Sequence, residues 1–430
     1  MSEMLIERQF ERQKEALPGA FEPRRDALAA FLEKGYPTRR DEAWRYTDLK
    51  PIAEAELDSP AAADGRTRER VRARLEEIAA GAEAASRVVI VDGLVDEALS
   101  PASPGEITVT SLVDDERLDR FGRGTAGSHP LALLNRAFAR DGIRVRVAAG
   151  RAATAPLEIV LVASGNGRVA QHPRIAIDLE PNAALDVVVR CVDLDGAEGW
   201  LNAVFDIVQA EGSKLRLFRL QEHGERLDHT SLLSARLDKD ASLVAGYVDL
   251  GGRVTRNDID VELAGPGASA DLFGVFVASP GRHIDDEIHI DHAAPHTRSE
   301  TAFRGIADRD GRGVFRGKLL VRPGAQKIDA RQSSDNLLLA EKAEIDTRPE
   351  LEIYADDVKC SHGATVGELD DEQMFYLRSR GVDAHSARAL LTFAFANVLL
   401  RRLEPAPLRE RAVARVAGGL HGLVEWESFR

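Results

Sequence analysis

One turn recurs along the middle of this 430-residue chain, and its spacing restricts the fold more than any other feature. From about Ile143, short segments such as IRVRVA, LEIVLVA, RIAIDL, LDVVVRC, KLRLFRL and SLVAGYVDL follow one another for over two hundred residues. Their apolar residues alternate with period two, and helix-length periodicity is nearly absent, so they read as strands. The turns between them look alike: PNAALD, EGSKLRL, KDASLVA, PGASADL, PGAQKID and EKAEIDT. Counted on Ala184, Ser213, Ala241 and Ala268, the steps are 29, 28 and 27 residues, and Ala268 to Ala325 is 57, about two such steps. A turn at constant period with strands between is the signature of a solenoid. Repeats of this length without interposed helices predict a β-helix, in which each coil stacks on the next. A β-sandwich is the competing arrangement of the same segments.

Helical patterns flank this core. Leu5, Phe10 and Leu17 fall among charges, and RRDALAAFLEKG follows, with Gly35 as its stop. GYPTRRDEAWRYTDL carries Trp44 and Tyr46, residues 67–86 look like a further helix, RVVIVDG and ITVTSLV are short strands, and PLALLNRAFA is a short helix. Near the other end, LDDEQMFYLRSRG has acids in its first turn, Arg378 and Arg380 in its last, and Gly381 just beyond, as the helix dipole and C-cap require. The next helix, HSARALLTFAFANVLLRRL, is apolar almost all round and is therefore buried in this chain or in a partner. After Pro405 and Pro407, RERAVARVAGGLHGLVEW is an amphipathic helix interrupted by two glycines. The expected division is a mostly helical region 1–142, a β-helix core 143–368 and a helical domain 369–430.

Composition narrows the function classes. With 44% hydrophobic and 30% charged residues, the chain is of the folded, soluble type. No apolar run approaches the roughly 18–20 residues of a membrane span, and MSEMLIERQFERQKEALPG has no signal-peptide core. Two cysteines, Cys191 and Cys360, make no disulfide framework, and the reducing cytoplasm is the expected compartment. A net charge of −14 argues against nucleic acid as a partner. GRGTAG, at Gly122, Gly124 and Gly127, lacks the preceding buried strand of a dinucleotide fold. GRGVFRGKL lacks a glycine five before Gly317 and has Leu319 where a P-loop needs Ser or Thr, so no nucleotide site of the chain's own is expected.

Two stretches hold candidate chemistry. HIDDEIHIDHAAPH contains His283, His289, His292 and His296 among Asp285, Asp286, Glu287 and Asp291. On a strand, Glu287, His289 and Asp291 share one face while Ile288 and Ile290 go to the core. That face is open to two readings, a metal site or an ordinary solvent or interface face of a coil. In VKCSHGATVG, Cys360 and His362 point to one side of a strand, about 6–7 Å apart along it. Thiolate and imidazole suit iron and zinc, but two ligands complete no tetrahedral site, so the rest must come from elsewhere in the fold or from another chain. A Cys–His nucleophile, which needs a third orienting group, and a buried Cys beside a structural His remain open alternatives.

The block over residues 303–381, FRGIADRDGRGVFRGKLLV followed by AQKIDARQSSDNLLLAEKAEIDTRPELEIYADDVKCSHGATVGELDDEQMFYLRSRG, resembles the SufB/SufD family of iron–sulfur cluster assembly scaffolds. GYPTRRDEAWRYTDL is similar to the family's helical lead-in. The SufB branch reads V-E-H-E-A where this chain has VKCSHGATVG and carries extra cysteines earlier, so both departures separate the chain from SufB. The resemblance implies a right-handed parallel β-helix between helical domains and a non-catalytic scaffold role. It implies pairing with SufB through the β-helix and docking of the SufC ATPase on the C-terminal helical domain; whether the chain forms a homodimer in the absence of SufB is left open by the sequence. A transient iron–sulfur cluster would form at the SufB interface on His362, with Cys360 beside it, and a reduced flavin would belong to the complex. The rival readings are a plain interaction scaffold without metal contact and a β-helix carbohydrate-active enzyme with its site at residues 283–296. Only 5% aromatic residues for stacking on sugar weigh against the latter.

Overall fold

The computed structural model describes residues 2–19, 21–79, 86–101, 105–112 and 127–419. GRGTAG up to its last glycine and the HGLVEW end of the final helix lie outside these residues. The strands build two ten-stranded sheets. From Leu157 onward the chain alternates between a front sheet and a back sheet, with two consecutive back strands, Arg168–Gln171 and Arg174–Leu179, in the first coil and one in each coil after it, and strands pair in parallel with their counterparts one coil away. Seven coils run from Leu157 to Ile353, the first with three strands and the others with two, and Val358–Gly367 adds a last front strand. This is the expected mainly β solenoid, and the sandwich alternative falls because the ladders between successive coils are parallel. The earlier strand Ser86–Val91 extends the front sheet in parallel with Leu157–Ala163. Ile107–Ser111 caps the back sheet, antiparallel to Gly142–Val147.

The recurring turn has a physical basis that spacing alone only partly located. Asn182, Gly212, Asp240, Gly267, His296 and Lys327 occupy the same place in successive coils, and each has φ between 55° and 77°. Glycine, Asn and Asp take this left-handed conformation at least cost, and His is enriched there too. Each of these residues donates its N–H to a carbonyl of the next coil, for example Asn182 to Glu211 at 2.9 Å and Asp240 to Pro266 at 3.0 Å. The following residue turns inward at a corner too tight for a large side chain, and Ala183, Ser213, Ala241 and Ala268 are all fully buried there. Strand register aligns Ala184 with Lys214 and Ser242, so the corner is Ala183, one residue before the position counted from sequence. Ala325 is likewise displaced: Arg298 pairs with Asp329, which puts Ile328 at the corner, because the turn after Val321 is two residues longer than the one after its ladder partner His292.

Leucine, isoleucine and valine from the inner faces of both sheets make one continuous core. The outer faces are covered separately. Helices Ala384–Leu400 and Ala406–Gly419 lie on the front sheet, packing Ala396, Leu399, Leu400 and Val416 against Phe218, Val248 and Phe273. The all-round apolar helix is thus buried on its own chain along one side. Gly65–Ala79 packs Val71, Leu75 and Ile78 on the first front strands; residues 80–85 of the expected 67–86 helix lie outside the described residues, and its last residue, Ser86, opens a strand. Ser2–Gln13, Phe21–Lys34 and Pro130–Phe138 cover the back sheet around Trp200. One end of the solenoid therefore carries helices and capping strands, and among the described residues no strand pairs with the end at residues 344–367.

Candidate functional site

VKCSHGATVG is the strand Val358–Gly367, the outermost of the front sheet. It pairs on one side with Ile328–Leu338, and its other edge is open. The last back strand, Glu344–Ile353, is open in the same direction. Unpaired strand edges are templates for another chain, and the apolar side chains Ile353, Tyr354 and Val366 are exposed at this end. Register places Cys360 beside Ala330 and His362 beside Gln332, so both look to the inner side of the sheet. Cys360 is half-buried and packs against the core, and burial, followed by the Asp329 carboxylate, pushes its thiol up. His362 is exposed. Among the described residues no group of three or more His, Cys, Asp and Glu side chains gathers at metal-binding distances. Cys360 and His362 therefore stand as a pair, one soft thiol and one imidazole, at a surface that a second chain can complete.

Cys191 is different in kind. It is buried inside the solenoid, and burial pushes its thiol up to about 12. Because only thiolate reacts, an aromatic disulfide reagent is expected to titrate one thiol, Cys360, in the native chain and two after unfolding in guanidinium. Rapid reaction of both in native protein would place Cys191 at an accessible site and break this assignment.

The acidic, histidine-rich strand His283–His292 lies in the back sheet with Ile284, Ile288 and Ile290 in the core, as its alternation required. Its outward groups are taken by protein partners rather than left for a ligand. Arg256, wholly buried, bonds Asp258 at 2.7 Å, reaches Glu287 at 3.5 Å and also bonds Asp285. The indole of Trp44 lies over its guanidinium, 4.2 Å from ring centroid to carbon, and Arg256 donates to the Ala43 carbonyl at 3.0 Å. Thr47 bonds the His283 ring at 2.7 Å and Asp285. His289 meets Asp260 at 3.1 Å, Asp291 pairs with Arg322, and His292 bonds Thr297 and Ser299 at 2.7 and 2.9 Å. His296 is a left-handed turn residue. Burial drives Glu287 up to about 7 against the pull of Arg256 and Arg316. Burial also acts to raise Asp258, yet Arg256 and His129 hold it far below the usual carboxylate range. This strand is the anchor for GYPTRRDEAWRYTDL, whose Ala43, Trp44 and Thr47 meet the cluster, and among the described residues no metal-binding group of three gathers on it.

GRGVFRGKL is strand too, Arg312–Val321, and Lys318 is engaged by Glu352 at 2.7 Å, so no phosphate-cradling loop forms there. A cleft of about 740 Å³ opens between Gly65–Ala79, four coil turns and the last described helix. Its charges pair with one another, Arg74 with Glu77 at 2.6 Å and Arg415 with Glu222 at 2.7 Å, and no aromatic side chain lines it. Sequence reasoning missed Arg256, whose partners Asp285 and Glu287 are a full coil away, and Gln332, a polar residue in a row that earlier coils fill with Val187, Leu217, Ala245 and Leu272 before Thr301.

Comparison with known proteins follows the same lines. The family model described as "SUF system FeS cluster assembly, SufBD core domain" matches residues 161–395. The iron–sulfur cluster assembly protein SufD of Escherichia coli (strain K12) is 31% identical over 400 residues, 92% of this chain and 92% of that protein. A SufBD family protein of Synechocystis sp. is 28% identical over 395 residues, 87% of this chain and 85% of its own length. One from Mycobacterium leprae is 28% identical over 389 residues, covering 88% and 89%.

Proposed function

This chain belongs to the SufB/SufD family of the Suf iron–sulfur cluster assembly system, and on that premise we propose that it is a non-catalytic scaffold subunit of the SufD type. Its solenoid end pairs with SufB in the cytoplasm, and its C-terminal helices hold the SufC ATPase. The observation that carries this reading is the open end of the solenoid. Two strand edges stand unpaired there with exposed apolar side chains, and Cys360 and His362 sit on the outermost strand with too few ligands for a site of their own. A nascent cluster is the cargo. His362, with Cys360 beside it, holds one side, and SufB supplies the other. In the absence of SufB the same edges accept a second copy of this chain.

A second observation supports the SufC dock. Helix Asp371–Ser379 is well capped, with Asp370 accepting from the N–H groups of Glu372 and Gln373, yet it buries no residue. Phe375 and Tyr376, 75% and 58% exposed, are the kind of aromatic anchors that protein interfaces use. SufC provides the nucleotide hydrolysis. A reduced flavin, if the assembly carries one, belongs to the assembled complex. The charged, aromatic-free cleft of this chain does not fit an isoalloxazine ring, and no step is derived through it.

Co-expression with SufB and SufC, gel filtration and anaerobic reconstitution with iron and a sulfide donor test the reading. A three-protein complex should form, and cluster absorbance should develop in it and not in this chain alone. A chain that never co-elutes with SufB, or one that holds a stable cluster by itself, overturns it.

A further inference from the structure

The inner face of the front sheet changes character toward its open end. One row of ladder partners runs Leu272, Thr301, Gln332, His362, from apolar core to exposed edge. Gln332 is 3% exposed, and its Nε2 donates to the Gly317 carbonyl of the back sheet at 3.0 Å. Its Oε1 is buried with no hydrogen-bond partner, as is the Thr301 hydroxyl. Gly317 leaves the space that the carboxamide occupies, since a Cβ there would lie 2.4–2.5 Å from the Gln332 amide atoms. The amide is thus gripped between the sheets, with its NH₂ used and its carbonyl left over, an arrangement that buried polar groups avoid unless a donor arrives.

The next side chain in the row is that of His362, one coil on, at a strand spacing of about 4.8 Å. We propose that Gln332 is a positioning residue for His362. When a partner covers the open end, the Gln332 carbonyl accepts the N–H of one imidazole nitrogen and so fixes the tautomer that presents the other nitrogen's lone pair to the cargo. Metal-binding imidazoles are generally held in this way by an acceptor behind them, and neutral imidazole has one N–H to give and one lone pair to offer. Gln332 touches no metal in this scheme and acts through His362. The inference rests on the reading of His362 as a cluster ligand, and its test reads the imidazole directly.

The experiment is solid-state ¹⁵N spectroscopy of the sedimented complex with SufB and SufC, in which only this subunit carries ¹⁵N-histidine. The His362 signal is identified by its loss in His362→Ala. Without iron, wild-type His362 is expected in a single tautomer, and in Gln332→Met, which keeps side-chain length but offers no such acceptor, as a mixture. Iron uptake by the Gln332→Met complex should fall by about tenfold or more, in the range for loss of a group behind a metal ligand. A wild-type mixture of tautomers overturns the proposal even if the variant fails to fold, and so does an unchanged single tautomer in a folded Gln332→Met complex. If instead His362→Ala builds clusters normally, the ligand reading fails while the tautomer result still decides whether Gln332 orients the ring.

Discussion

Replacing His362 with alanine is expected to leave the complex with SufB and SufC intact and to reduce cluster formation by at least about 100-fold. The size follows from what remains. Loss of a group behind a metal ligand already costs roughly 10–100-fold, and here the ligand itself is removed from a pair that no third metal-binding side chain joins among the described residues. The next histidine along the chain is His385, on the helix Ala384–Leu400. The structural cost is small because the side chain is exposed, and surface substitutions of this kind usually stay within about 0.5 kcal/mol. Cys360→Ser should be milder. Burial disfavours the thiolate that would bind iron, and the histidine stays in place. Anaerobic reconstitution followed by absorbance, with gel filtration as the control for assembly, makes the measurement. An intact His362→Ala complex that builds clusters at the wild-type rate would show that the cargo is held elsewhere.

The largest stability effect is expected at Arg256. Arg256→Met would leave Asp258, Asp285 and Glu287 without the cation they share, beneath Trp44 and out of water. Breaking a buried ion pair by removing one partner costs about 3–5 kcal/mol, because the surviving charge stays desolvated. The loss should be felt first in the segment holding Ala43, Trp44 and Thr47, which bonds to this cluster. A lower denaturant midpoint, preceded by a change in tryptophan emission, is the expected record. Arg256→Lys should recover only part of the loss, since an ammonium cannot match the planar fork that spans several carboxylates and stacks on an indole. A midpoint for Arg256→Met within about 1 kcal/mol of wild type would mean that these carboxylates are satisfied in some other way.

How much of this was legible in the sequence depended on how local each signal is. Strand alternation and the repeating turn are short-range, so the solenoid could be read directly. Its phase slipped by one residue at Ala184, because Ala183 and Ala184 adjoin and only the first is the corner, and at Ala325, because a longer turn carries the corner on to Ile328 behind a left-handed residue, Lys327, that is not Asn, Asp or Gly. The shared face of Cys360 and His362 follows from a period of two. Their place at the open end does not, because it depends on no later strand among the described residues returning to cover Val358–Gly367. The run from His283 to His292 looked available for metal or sugar because its neutralising partners lie far off in sequence. Arg256 stands one coil earlier, and Trp44 and Thr47 stand more than two hundred residues before it. Helix 384–400 was legible as buried, but whether by its own chain or another was a question only packing could answer.

The stacked corners also make the molecule a ruler. Each coil advances the solenoid by one strand spacing, about 4.8 Å, so the distance from the helices around Trp200 to the strand bearing His362 is counted out in whole coils. A deletion that removed one complete repeat would shorten that distance by a single increment and return every inner side chain to the inner face. A deletion of one residue within a strand would turn the face over from that point to the turn that follows. Length along the stack is therefore adjustable only in steps, and the separation of the outermost strand from the far cap is held as an integer rather than as a tolerance.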